Sequence, residues 1–320
     1  MPLALPTTSS VPPAPEPFVL TRTVTTRRRV ANRVATVLMA LSTLVAAVPL
    51  VWVLYVVVSK GASIIGVDWF TKDIPTNVSS SALAEKFGAA PEPVVYGMWP
   101  AIYGTLLITA MASAIAIPLG VLGAVYLNEY GKQGRFARVL RFFTDVMVGV
   151  PSVVMGIFVY TAWVLRFGAE GRSGFAGALA LACLMLPIIV RSTEEMLRLV
   201  PDDLRAASAA LGVPTWKTVV KAVLPAAIGG ITSGAMLAVA RAAGETAPLL
   251  FTIGSVSELN LSPTGQNTAL STQIYSNITQ PGGAPIAWGA ALTLIVLVVV
   301  LTLVARFVAG RFAIDANAAS

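Results

Sequence analysis

Two charged residues sit where charge is costly. Arg241 and Glu245 fall inside an apolar stretch that runs from near Ala222 to about Thr252. An arginine at the centre of a spanning helix costs about 2.5–3.5 kcal/mol on insertion scales, so such a charge faces a partner or a watery path. Glu245 follows four residues later, one helical turn away on the same face, where it can neutralise the arginine. Two readings are open. The pair is either a self-contained brace for its helix, or Arg241 lines a route and offers its planar donor fork to an oxyanion. Arg191 closes another apolar stretch, with Glu194 and Glu195 at i+3 and i+4 as partners. Anchoring at a membrane border would put an arginine there as well. A route that must let an oxyanion go again is better built from one or two arginines moderated by glutamates than from a dense basic cluster.

Much other chemistry is excluded by what is missing. The 320 residues include no histidine and one cysteine, Cys183, which lies in an apolar run. Ser-His-Asp catalysis, histidine-held zinc or haem, histidine proton relays and disulfide frameworks are therefore ruled out. No G-x-x-x-x-G-K-[ST] string occurs, so any ATP must be bound by another subunit. No metal site and no catalytic residue is expected, and the spans hold no paired acids or Ser/Lys constellation that would support an intramembrane enzyme.

The elements that position these residues are membrane helices. Hydrophobic residues make up 56% of the chain and charged ones 12%, about half the charge of a soluble domain, so surplus apolar surface must face lipid. Six stretches pass the roughly 20-residue length of a spanning helix, at approximately 34–58, 98–127, 146–165, 173–190, 222–252 and 286–305. They lie in a transmembrane domain over 34–312. A disordered Pro-rich tail and basic flank over 1–33 precede it, and a short tail over 313–320 follows. Sixteen Lys and Arg flank the side bearing both termini and five the other side, which predicts cytoplasmic termini. The external connections are then 59–97, 166–172 and 253–285.

Three further features bear on packing. Pro49, Pro118, Pro151, Pro187 and Pro248 lie within or at the ends of spans and suggest kinks. Gly230 and Gly234 form a small-x-x-x-small pattern for close helix contact, within the chain or with a partner. Trp52, Trp69, Trp99, Trp163 and Trp288 fall near the expected interfaces, as aromatic belts do, and Glu129 and Asp145 look interfacial with no transport role.

Between the fourth and fifth spans, the segment 192–221 is too polar to insert. Asp202 or Asp203 is placed to cap a short helix after Pro201, and Leu204, Ala207, Ala210 and Leu211 recur at helical spacing on one face. Gly212 and Pro214 end that helix, and Trp216 to Leu224 starts another. Such a helix-turn-helix suits docking to a soluble partner, although a solvated loop with an interfacial helix accounts for the same pattern.

The string Arg205-Ala206-Ala207-Ser208-Ala209-Ala210-Leu211-Gly212, followed by Trp216-Lys217 and Leu224-Pro225, resembles the E-A-A coupling motif of ABC importer permeases. The glutamate position of that motif is Ala206 here, and its isoleucine position is Ala222. Leu186 to Glu194, the run Ala240-Arg241-Ala242-Ala243-Gly244-Glu245-Thr246-Ala247-Pro248-Leu249-Leu250 and Asn128-Glu129-Tyr130 narrow the resemblance to the permease A subunits of bacterial phosphate-specific ABC importers. The resemblance covers about 35–312.

What it implies is an all-α, six-span, MetI-like bundle of the bacterial inner membrane, forming half of a phosphate translocation pathway. It further implies a homologous permease subunit (PstC-like), two ATP-binding subunits (PstB-like) that use ATP and Mg, and an extracytoplasmic phosphate-binding protein (PstS-like). The chain itself would hold no cofactor and catalyse no step. Permeases for sulfate, molybdate or phosphonate share the architecture and are the alternative. An ion-gradient-driven secondary transporter fits less well, because no inverted repeat is evident.

Overall fold

The computed structural model of the protein describes residues 26–131 and 134–318, and it contains no strand among them. Residues 1–25 of the expected Pro-rich tail and residues 319–320 lie outside the described residues. The chain divides into two units, Met1–Leu54 and Tyr55–Ser320. The described part of the first belongs to α1 (Thr26–Gly61), which is uncharged from Val34 to Leu54 and runs through Pro49 without a break.

The second unit begins in the last turns of α1 and continues through α2 (Val78–Lys86) to α3 (Trp99–Val125), which widens into a π turn at Tyr126–Gly131. Next come α4 (Arg135–Gly149) and α5 (Ser152–Val159), then a second π turn at Tyr160–Val164 that leads into α6 (Leu165–Phe167). The long α7 (Gly174–Arg198) is followed by the short α8 (Asp202–Ala210) and α9 (Thr215–Thr218). A third π turn at Val219–Val223 opens α10 (Leu224–Ala243), after which come α11 (Ala247–Thr252), α12 (Leu270–Ile278) and α13 (Ala284–Ala318).

The most deeply buried spanning helix is α7, which packs along α3 and also meets α10, α4, α5 and α11. Its contact faces are made of small residues because in lipid close backbone approach replaces the hydrophobic effect between helices. A Cβ on Gly120 of α3 would stand 2.6 Å from Ile189, and one on Gly177 of α7 would stand 2.4 Å from Ile253. Around these contacts Ile108, Ala112, Leu181, Met185, Ala238 and Leu249 close the central core.

Among the described residues, five single helices are long and apolar enough to cross a membrane. A sixth crossing requires Arg135–Gly149 and Ser152–Phe167 to be taken together, and these are bent by 111°. The stretch 146–165, read from sequence as one span, is therefore divided. Its first four residues end α4 and the rest runs in another direction. Pro151 causes this: it has no N–H to continue α4, and its ring pushes Val150 into an extended conformation with ψ 129°. The stretch 222–252 is likewise interrupted, at Gly244–Thr246, with Pro248 in the first turn of α11. Pro118 and Pro187, in contrast, sit inside continuous helices.

Gly230 and Gly234 pack within the chain. Cβ atoms there would lie 2.1 Å from Sδ of Met196 and 2.3 Å from Oγ of Ser192, two α7 residues with the same four-residue spacing. Gly234→Leu should therefore force α10 away from α7. The expected result is loss of folded, detergent-extractable protein, with Gly234→Ala retaining part of it, as read by size-exclusion chromatography of the solubilised chain. Trp69 departs from its expected place in an aromatic belt. It is fully buried, and its indole N–H donates to Oγ1 of Thr293 at 2.9 Å.

Candidate functional site

The sequence-selected charges form three groups. The first lies at the interruption after α10. Arg241 occupies the last turn of that helix rather than the middle of a continuous span, so its cation complements the negative end of the helix dipole. Its Nε lies 3.5 Å from Oε1 of Glu245, in the i,i+4 relation expected from sequence. The contact is at the limit of a hydrogen bond, and the Arg241 side chain is 67% exposed. Among the described residues Glu245 is its one acidic partner, and it engages only Nε of the guanidinium. Ser271 at the start of α12 donates to the Glu245 carbonyl at 3.0 Å, meeting one of the backbone acceptors freed by the break.

The second group is at the end of the bundle that carries most of the basic residues. Glu194 is the carboxylate that matters there; Glu195 is exposed. The Glu194 side chain is 2% exposed and is shared, among the described residues, by three guanidinium groups. Arg198 approaches at 2.6 Å, Arg141 of α4 at 3.1 Å and Arg191 at 3.6 Å. Arg191 also pairs with Asp145 of α4. Both acidic partners of Arg191 are thus structural neighbours, one of which, Asp145, was read from sequence as merely interfacial. The group ties α4 to α7 just before the bend at Pro151, with net positive charge left over.

The third group holds α8. No residue of this helix is buried. Its N-cap is Pro201 and receives no side-chain bond, so neither Asp202 nor Asp203 is the cap expected from sequence; both occupy the first turn, where their charges favour the helix N-terminus. The other end closes as a Schellman motif. Gly212, at φ +71°, donates to the Ala209 carbonyl at 2.9 Å, and Val213 donates to Ser208 at 3.1 Å. Leu204, Ala207 and Leu211 form an apolar stripe that is exposed, Leu211 at 82%. Ala206, Gly212, Trp216 and Lys217 are exposed too, while Leu224 and Pro225 begin α10.

Arg205 and Ser208 face the body of the bundle instead. The Ser208 and Thr218 hydroxyls lie 2.6 Å apart, and Arg205 donates to Glu129 in the π turn after α3 at 2.8 and 3.1 Å. Bonding to Glu129, and then its charge and that of Asp202, hold the Arg205 pKa above its ordinary value against the opposing effect of burial. Glu129, judged from sequence to be a residue at the interface, is 6% exposed. Nothing local marks such a pair, because its members are 76 residues apart.

This geometry belongs to a recognised fold and family. Residues 116–314 match the family of the binding-protein-dependent transport system inner membrane component. The chain is 46% identical over 300 residues to the phosphate transport system permease protein PstA 1 of Mycobacterium tuberculosis, covering 92% of this chain and 94% of the relative. It is 44% identical to PstA of Mycobacterium leprae, over 93% and 95% of the two chains, and 38% identical to PstA of Yersinia pestis, over 88% and 90%. Among solved structures, the inward-facing MetNI methionine ABC transporter superposes with a TM-score of 0.50 at 21% identity, over 68% of this chain and 97% of that one, a likeness of fold. Helical bundle, broken span and exposed α8 together with these matches place the chain in the family of binding-protein-dependent transport system inner membrane components, among the PstA permeases.

Proposed function

We infer that the chain is the permease subunit of an ATP-driven importer of inorganic phosphate and contributes half of the translocation pathway. The observation that carries this reading is Arg241. It is an arginine at the broken end of a spanning helix, loosely held by Glu245 and otherwise open, in a chain whose relatives across nine-tenths of its length are phosphate permeases. A guanidinium stays charged throughout the physiological range and matches a phosphate's oxygens two at a time. Glu245 keeps the site from holding its dianion too tightly, and Arg191, moderated by Glu194 and Asp145, offers a second station nearer the basic end.

The basic end faces the cytoplasm in this reading, in keeping with the excess of Lys and Arg there. The exposed stripe of α8 then docks a cytosolic ATPase, helix in groove, and ATP and Mg are used by two such subunits. A homologous permease and an extracytoplasmic phosphate-binding protein complete the assembly, and this chain catalyses no step. Purification with co-expressed partners, followed by ATPase assay in proteoliposomes, tests the whole reading. Phosphate-loaded binding protein should stimulate hydrolysis and sulfate should not, whereas a complex lacking any ATPase subunit would overturn it.

Docking by α8 makes its own prediction. Leu211→Asp places a charge on the stripe and removes roughly 1.5–3 kcal/mol of side-chain burial at an interface, enough to weaken association about tenfold or more. Pull-down of the ATPase with the tagged permease should show that loss. Leu199→Asp, at a leucine that is also strongly exposed but lies before α8, provides the control.

A further inference from the structure

Helix α8 has no buried residue, so apolar packing does little to set its position. Polar contacts on its inner face must do so, and one side chain makes most of them. Arg205 places all five of its N–H donors. Two go to the carboxylate of Glu129, one each to the Leu197 and Val200 carbonyls at 2.9 and 2.8 Å, and one to Asp202 at 3.1 Å. Leu197 lies in the last turn of α7, where acceptors lack partners within the helix, and Val200 in the short turn that leads to α8. A single guanidinium thus joins the end of α7, the first turn of α8 and the π turn Tyr126–Gly131 that closes α3. Lysine could not, since its point charge has no fork of fixed directions.

The π turn is a junction in its own right. It takes Arg205 from α8 on Glu129, and it takes Arg141 from α4 on the Leu127 carbonyl at 2.9 Å. Arg141 in turn reaches Glu194 on α7. Such wide turns are frequent at functional sites, since the extra residue frees a carbonyl from the regular ladder. Behind α8 lies a cavity of about 520 Å³, lined by Asn128, Glu129, Arg198, Arg205, Thr218 and Val219 among others. The space around the joint is only partly filled by side chains, so between α8 and the end of α3 a push travels through the Arg205–Glu129 hydrogen bonds.

We propose that Glu129 is a positioning residue for energy coupling: through Arg205 it fixes α8 to the π turn at the end of α3, so that displacement of α8 is delivered to α3 and, through Leu127 and Arg141, to α4. This rests on α8 being the helix that docks the ATPase. It assigns a coupling role to a residue outside the 192–221 segment, with the alanine at position 206 left free of that duty.

The test uses the complete complex in proteoliposomes with phosphate-loaded binding protein. Glu129→Gln and Arg205→Lys should each lower phosphate imported per ATP hydrolysed by about tenfold, the scale of a lost charge-assisted hydrogen bond, with the complex still assembled. Because both act through one joint, the double variant should be no worse than the weaker single one. Amide hydrogen exchange separates this from general misfolding: exchange in 199–211 should rise in Glu129→Gln while 224–243 stays as in the unaltered protein. Unaltered exchange and unaltered coupling in Glu129→Gln would overturn the proposal, as would losses that multiply in the double variant. If phosphate fails to stimulate the unaltered complex but exchange in 199–211 still rises, the importer reading falls and the joint stands.

Discussion

Arg241→Ala is expected to reduce ATP-driven phosphate uptake about a hundredfold while leaving the protein inserted and folded. Hydrogen bonds to charged groups contribute about 1.5–3 kcal/mol, and each 1.4 kcal/mol is tenfold in an equilibrium constant, so removing a guanidinium that binds through two N–H groups reaches that scale. The effect is enlarged by what remains. Glu245 stays in place, and without its partner it presents an uncompensated negative charge to the incoming anion. Insertion should not suffer, because Arg241 lies exposed in the last turn of α10, outside the packed core of the bundle. Arg241→Lys keeps the charge and loses the fork, so uptake about tenfold below normal is expected. Radiolabelled phosphate uptake by vesicles containing equal amounts of complex gives the measurement. Full uptake by both variants would remove Arg241 from the mechanism.

The second large effect is on stability. Glu194→Ala leaves Arg141, Arg191 and Arg198 facing one another at the end of the bundle without the buried carboxylate they share. Removing one partner of a buried ion pair typically costs about 3–5 kcal/mol. Because Arg198 and Arg191 are partly solvated, the lower end, about 3 kcal/mol, is expected here. The thermal denaturation midpoint of the detergent-solubilised protein should fall by several degrees and the yield of monodisperse complex should drop. Glu194→Gln, which keeps the shape and one acceptor, should fall between. Midpoints unchanged in both variants would show that the cluster is not what ties α4 to α7.

How much of this was legible beforehand depended on sequence distance. The i,i+4 relation of Arg241 and Glu245 is local, and the structure preserves it. The partner of Arg191 at i+3 was one of two offered by the sequence; only α4, which brings Arg141 to the same place, decides for Glu194 over Glu195. The helix after Pro201 was visible in its apolar spacing, but which face turns outward was not. Arg205 and Ser208 proved to point inward because their partners, Glu129 and Thr218, come from elsewhere in the fold. Glu129 stood in the Asn128-Glu129-Tyr130 string, but nothing local marked it as the partner of Arg205, 76 residues away.

The sequence by itself determined that the chain is a bundle of membrane helices, with charge sorted to one end and few charges left to explain, since hydropathy and helix length are properties of contiguous residues. It also contained Pro151, Gly244 and Pro248, the residues that break two of the apolar stretches. Only the tertiary structure decided what those breaks do. They turn α4 away from α5 by 111°, and they move Arg241 from mid-helix to a helix end. The tertiary structure likewise holds α8, through Arg205 on Glu129 and the Ser208–Thr218 hydroxyl pair. Pairings between helices depend on the three-dimensional path of the chain, and no local pattern encodes them.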